Sequence, residues 1–551
     1  MTIKERVKSL SVEEKVAYMI IVRGENYVPR LHEMAKAGQL GGVGAVAIPK
    51  EERTPEKLVE LMNSLREEST LPITFYADAE HGLAVSIPFA TRFPSCMALG
   101  ASGDLELARL NAEIIGREAR VLGFNIVASP PLDVNIEPEN PIICTRAFSD
   151  DTDEVIKFGR AYLEGLQSEG RITCGKHFPG HGATASDSHM TMPVVERTRD
   201  ELNEVELRPY YEIGNDMWGV MTAHIFFPAL AAEGEVNVPA TMSRTMLYKT
   251  LREDIGFDNL IVSDSLTMKG IKDKYSLDAS VGAILAGHDM ILQDYSDDPI
   301  ITYNHVVQAV KDGRIPMEWI DASVERIIKF QEKSGATVDF RADIDEVKRV
   351  VGCEEHIKVA KTVAARGVTF IEGANVPVKA DTLGKTLVIA TVGPEEIHGI
   401  TDIGAAGGFS STNIGVSVNR YHNADLERIS ETPDAADVDR VIELAKGYDT
   451  VIFSPFVRTV SYKVNGGKVH PEILRLAETL NASDLNFISL VFGNPYSLAV
   501  FPEFKNCILS YGDDVYSIDA SVDALFGAEE MTAKLPVQVS DKYFRGYCYK
   551  K

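Results

Sequence analysis

The chain has 551 residues, of which 45% are hydrophobic, 25% charged and 8% aromatic, the composition of a globular protein of about two to four domains. Its 56 Lys and Arg against 81 Asp and Glu leave a formal charge of −25; such a surface repels phosphate backbones and anionic bilayers, so no nucleic-acid or membrane partner is expected. No apolar run approaches the roughly 18–20 residues that span a bilayer. The start, MTIKERVKSLSVEEKV, is charged with no signal-peptide core, and the six cysteines show no CxxC spacing, so a cytoplasmic location is expected.

Candidate strands follow one another at Met19–Val22, Val43–Ile48, Ile73–Ala77, Asn125–Ala128, Ile172–Gly175, Gly219–Thr222, Leu260–Val262 and Asp289–Leu292. Several are continuous β-branched or small-residue runs, the pattern of strands buried on both faces. Helical periods lie between them, among them Leu105–Leu122, Asp200–Tyr211 and Thr245–Glu253. Alternating strand and helix predicts an α/β fold with a (β/α)8 TIM-like barrel over residues 1–335, closed by a helix over Val324–Glu332.

A polar stretch at Gly335–Asp345 breaks the pattern, and helical periodicity resumes at His356–Ala365. Residues 336–372 read as a linker and the start of a second domain, with an α/β sandwich domain over 373–551. Its expected strands are Thr386–Val392, Thr450–Ser454, Leu485–Phe492 and Asn506–Ser510, alternating with helices at Val438–Lys446, Glu472–Leu480 and Ala520–Phe526. The Gly-, Ser- and Asn-rich segments Ala405–Asn413 and Asn465–Gly467 read as turns.

Polar residues mark the ends of the barrel strands. Ile73–Ala77 runs into Asp78, Ile172–Gly175 into Lys176 and His177, Gly219–Thr222 into His224, and Leu260–Ser263 into Asp264. In a barrel these carboxyl ends share one face, where such folds keep their chemistry. The densest segment is Lys176-His-Phe-Pro-Gly-His-Gly-Ala-Thr-Ala-Ser-Asp-Ser-His189, a loop by virtue of Pro179, Gly180 and Gly182. Asp187 and His189 are spaced so that a curled loop can join carboxylate to imidazole, which makes a general acid/base. A loop whose polar groups only satisfy its own backbone is the alternative. Zinc on His177, His181, Asp187 and His189 is a second rival, disfavoured by nonstandard spacing and by the Lys176 charge. Asp264, ahead of a hydroxyl-rich turn, suits a nucleophile or charge stabiliser, or else a helix cap.

These motifs resemble glycoside hydrolase family 3, in its β-N-acetylglucosaminidase branch of two-domain type. The resemblance rests on Lys176–His189 as the KHFPGHG…DSH signature. Leu10–Lys15, Phe93–Gly100, Arg146-Ala-Phe-Ser149, Met221-Thr-Ala-His224, Pro239–Ser243 and the Ser-Asp-Ser-Leu-x-Met run at Asp264 support it. Gly493–Tyr496 and Leu525–Gly527 continue it less specifically into the second domain. It implies a retaining, exo-acting β-N-acetylglucosaminidase that needs no metal or organic cofactor. Asp264 would be the nucleophile, His189 the acid/base and Asp187 its orienting partner. Asp78, Arg146, Lys176 and His177 would grip the terminal sugar of a small carbohydrate substrate. An imidazole does not repel phosphate, so phosphorolysis with phosphate as acceptor is the alternative; a non-catalytic sugar-binding protein is a remote one. Two departures stand out: His81 replaces a usual Gly in Asp78-Ala-Glu-His-Gly82, and Ser86 stands where a sugar-binding Arg is common, with Arg92 at a different offset. They point to a changed sugar edge and tolerance of glucosides. The second domain is expected to cover the site, stabilise the barrel or join a homodimer.

Overall fold

The computed structural model describes residues 2–23, 27–44, 53–186, 192–294, 297–393, 413–459 and 466–550. They form two compact units, one of Met1–Arg92, Ala108–Val134 and Val155–His356, the other of Phe93–Leu107, Asn135–Glu154 and Ile357–Lys551.

The first unit holds eight parallel strands: β1 (Ile20–Val22), β2 (Gly42–Gly44), β3 (Thr74–Asp78), β4 (Ile126–Ala128), β5 (Ile172–Phe178), β6 (Gly219–Thr222), β7 (Leu260–Ser263) and β8 (Ile291–Leu292). Their order is β7-β6-β5-β4-β3-β2-β1-β8. Hydrogen bonds from Ser263 N to Met290 O (3.0 Å) and from Asp289 N to Ile261 O (2.9 Å) bring β8 back to β7 and close the ring. Most strands are two to five residues long and almost wholly buried, as side chains on one face fill the barrel while those on the other pack under helices. The helix Leu105–Leu122 forms as its periodicity predicts. It stops at Gly123, whose φ of +88° lets Phe124 N reach back to Ala119 O at 2.8 Å.

Two expectations are corrected here. β5 does not end at Gly175; it continues through Lys176 and His177 to Phe178, with a register shift against β6 between Gly175 and Phe178. The expected helix Asp200–Tyr211 is two helices, Arg199–Glu204 and Arg208–Ile213. Pro209 explains the break, because its ring clashes with the carbonyl four residues earlier and it carries no N–H.

The second unit contains β9 (Thr369–Gly373), β10 (Thr386–Val392), β11 (Ala424–Ser430), β12 (Thr450–Ser454), β13 (Phe456–Val457), β14 (Asn486–Gly493) and β15 (Asn506–Ser510). The order is β11-β10-β12-β14-β15-β9, with β13 on β14 and only the β15–β9 pair antiparallel. Sequence reading missed β9 and β11, the two edges. β11 carries Asp425, Glu427 and Arg428 and is mostly half-buried, so it lacks the apolar run that marks central strands. The turn expected at Ala405–Asn413 lies outside the described residues up to 412, and Asn413 opens a helix.

Candidate active site

Because β3 to β7 are adjacent and parallel, their carboxyl ends open on one face. Register ties them: Asp78 pairs with Ala128, Phe178 with Thr222, and Thr222 with Ser263. Asp78 ends β3 with its side chain half exposed. Lys176, only 2% exposed, sends its ammonium from β5 to Asp78 Oδ1 (2.9 Å) and Glu80 Oε1 (2.7 Å). The ammonium and its two carboxylates present donors and acceptors together, as recognition of a polyhydroxylated ligand requires.

The next residue, His177, is buried and joined to Lys176 by a cis peptide bond. Its Nδ1–H donates to Asp133 Oδ2 at 2.7 Å, and its backbone N–H donates to Asp133 Oδ1 at 3.2 Å. The same Oδ1 accepts from His181 N at 2.6 Å. Asp133 is fully buried. Burial alone would raise its pKa, but the His177 charge and these hydrogen bonds outweigh it and hold the carboxyl below its ordinary value. His181 in turn donates from Nδ1 to Thr184 Oγ1 at 2.7 Å, a hydroxyl whose own proton goes to His181 O. A side chain at Gly182 would run into the Val134 carbonyl, so the loop leaves β5 pressed against the chain that leaves β4.

Asp264 follows β7 directly and is half-buried. Its backbone N–H donates to Thr222 O (3.3 Å), and its Oδ1 accepts from Ser265 N at 2.6 Å. His224, after β6, donates from Nε2 to Ser265 O at 2.8 Å and sets Nδ1 2.7 Å from Thr241 Oγ1. The turn behind Asp264 is thereby tied to the neighbouring strand. Below it, burial pushes the His288 imidazole down to about 4. That ring donates from Nδ1 to Ala283 O and accepts the Thr222 hydroxyl proton at Nε2.

Residues 11–330 match the family described as Glycosyl hydrolase family 3 N terminal domain. This chain belongs to glycosyl hydrolase family 3. It is 30% identical over 381 residues to Beta-hexosaminidase A of Pseudoalteromonas piscicida, an alignment spanning 63% of this chain and 62% of that protein. It is 27% identical over 497 residues to a Beta-N-acetylglucosaminidase/beta-glucosidase of Cellulomonas fimi, covering 86% of this chain and 85% of the relative. A solved family 3 beta-N-acetylglucosaminidase from Paenibacillus sp. str. FPU-7 superposes with a TM-score of 0.85 at 26% identity, covering 97% of this chain and 99% of that one.

Of the site residues expected from this family 3 sequence, Asp78, Lys176, His177 and Asp264 lie at carboxyl ends of barrel strands. Asp187 and His189 lie outside the described residues. Arg146 sits in a helical turn, Cys144–Arg146, that belongs to the second unit. Within that unit, Asn135 Oδ1 accepts from Cys144 N at 3.0 Å, and Asn135 O accepts the Tyr496 hydroxyl at 3.0 Å. Ser86, at the departure noted above, is buried, and its carbonyl accepts from Arg53 Nη1 at 2.7 Å. Sequence reading missed Asp133 and Glu80, the partners of His177 and Lys176. Asp133 ends the Pro-rich run Ser129-Pro-Pro-Leu-Asp133 just after β4; a charged residue leaving a barrel strand was the available signal. No helix among the described residues is long and apolar enough to cross a membrane.

Proposed function

We propose that this family 3 protein is a retaining, exo-acting β-N-acetylglucosaminidase. The observation that carries the reading is the meeting of Asp78, Lys176–His177, His224 and Asp264 on one barrel face, with the Asp187–His189 segment in the loop leaving β5. In this reading Asp264 attacks the anomeric carbon while protonated His189 gives its proton to the departing glycosidic oxygen. The C–O bond breaks and a covalent glycosyl–Asp264 ester forms. Neutral His189 then takes a proton from water, whose oxygen displaces Asp264 with a second inversion. Asp187 orients the imidazole and stabilises its cation. Asp78, Lys176, His177 and Arg146 bind the terminal sugar, Arg146 on the strength of its motif. The relatives' printed activities, a beta-hexosaminidase and a beta-N-acetylglucosaminidase/beta-glucosidase, support this sugar class.

The test is an NMR time course on an aryl β-N-acetylglucosaminide, with and without phosphate, chelator present throughout. Equal rates with the β-anomer appearing first are expected. Acceleration by phosphate with release of a sugar 1-phosphate would replace hydrolysis by phosphorolysis. Turnover of the β-glucoside alone would overturn the sugar assignment and put the weight on His81 and Ser86.

A further inference from the structure

The loop that leaves β5 returns at Pro193–Val195, where Val195 N donates to Phe226 O and Phe226 N to Pro193 O, both at 3.0 Å. Both legs of this loop meet one side chain, Glu206, in the break between the helices Arg199–Glu204 and Arg208–Ile213. On the outgoing leg, Gly180 has a φ of +150°, and a Cβ there would lie 2.8 Å from Glu206 Cβ. On the returning leg, Arg197 Nε lies 3.1 Å from Glu206 Oε1. The Glu206 side chain is 1% exposed, against 26% for Arg197.

The barrel unit has other buried carboxylates, and they are saturated. Asp133 accepts three hydrogen bonds. Glu118 accepts from Thr91 N, Thr91 Oγ1, Gly352 N and His356 Nδ1. Glu206 is the exception: among the described residues neither of its oxygens has an aligned hydrogen-bond donor. Burial pushes its pKa up to about 7, with Arg197 and then its own, poorly aligned backbone N–H pulling the other way and Glu201 adding to the rise. An ion this poorly solvated is costly to the fold. Its position, under one leg of the loop and against the other, gives that cost a purpose.

Resting on the functional reading above, we propose that the Glu206–Arg197 pair is a positioning element of the acid/base step: it joins the two described legs of the loop whose sequence carries Asp187 and His189. Neither Glu206 nor Arg197 touches the reacting atoms. Asp264 stands on β7, outside the loop, so nucleophilic attack on a substrate whose leaving group needs no proton is independent of the clamp.

The experiment compares wild type, Glu206→Gln, Arg197→Met and His189→Ala, full-length, on two β-N-acetylglucosaminides: 4-nitrophenyl, an activated leaving group, and methyl, a poor one. The readout is kcat/KM, which reports the first irreversible step, formation of the glycosyl-enzyme. Glu206→Gln is expected to lose about tenfold or more on the methyl glycoside and less than twofold on the nitrophenyl glycoside. Arg197→Met should split the two substrates in the same sense. Because glutamine is a neutral isostere, the urea midpoint of Glu206→Gln at pH 8 should equal or exceed that of wild type. Equal losses on both substrates, or no loss on either, would overturn the clamp. His189→Ala separates the two levels of inference. If it splits the substrates while Glu206→Gln does not, only the clamp fails; if it does not split them, the acid/base reading itself fails.

Discussion

Asp133→Asn tests whether the buried carboxylate behind His177 sets the chemistry of that ring. The carboxylate takes two backbone N–H groups on Oδ1, at 3.2 and 2.6 Å, and the His177 Nδ1–H on Oδ2 at 2.7 Å. An asparagine keeps its oxygen on the backbone pair only by turning its NH2 toward Nδ1. Two donors then collide unless the ring proton moves to Nε2, which in a neutral ring changes Nε2 from acceptor to donor. Three hydrogen bonds to a charged acceptor, at about 1.5–3 kcal/mol each, become neutral ones worth about 0.5–1.5. Relief of carboxylate desolvation offsets part of the loss. The net expectation is a loss of about 2–4 kcal/mol in urea unfolding and about a 10–100-fold fall in kcat/KM, equivalent to about 1.4–2.8 kcal/mol. The pH dependence has a definite sign. The folded-state pKa of Asp133 lies below its unfolded value, so its contribution is complete above about pH 4 and is lost as pH falls through the depressed folded value. The stability gap between wild type and Asp133→Asn should therefore close as pH falls below about 4. A variant with kcat/KM within twofold of wild type, and no gap at neutral pH, would refute the claim that Asp133 fixes the His177 ring.

Asp264→Asn should lower kcat/KM by about a thousandfold or more on activated and poor leaving groups alike. A slow fluorinated sugar should leave its adduct on Asp264 in wild type, as read by peptide mass spectrometry; an adduct elsewhere would move the nucleophile. Lys176→Met leaves Asp78 and Glu80 facing each other without the ammonium, and should raise KM about tenfold or more. The stability cost, about 1–3 kcal/mol by denaturant titration, is reduced because Asp78 is half exposed. Unchanged KM would remove Lys176 from sugar binding.

The barrel and the face of its site were legible because buried parallel strands are short apolar runs, and because an ionisable residue just past such a run stands out. That signal singled out Asp78, Lys176, His177 and Asp264 as ends of barrel strands, where the structure places them. Their partners were not singled out, for a physical reason. Asp133 meets His177 from 44 positions away in the chain, and Glu80 meets Lys176 from another strand end. Contacts of that kind are created by strand order, which a linear pattern does not encode. The end of β5 was misplaced because Lys176 and His177 look like loop residues, yet their polar groups are engaged inside the fold by Glu80 and Asp133. Glu206 was hidden inside what read as one continuous helical period.

Burial of carboxylates also explains how a chain of charge −25 keeps its strand ends ordered. Asp289 is wholly buried and accepts from Ile261 N (2.9 Å), Arg252 Nη2 (2.7 Å), Arg326 Nη1 (3.0 Å) and Ser323 Oγ (2.9 Å). Ile261 belongs to β7, the strand that delivers Asp264. The proposed nucleophile thus stands on a strand pinned by a carboxylate with every lone pair engaged, and His224 pins the turn beyond it. The described legs of the loop after β5 meet at Glu206, whose oxygens have no aligned donor among the described residues. The nucleophile meets the same anomeric carbon from the same side in both steps, so a fixed strand serves it throughout. The acid/base serves the departing glycosidic oxygen in one step and the entering water at that same position in the next, so it too works at one place.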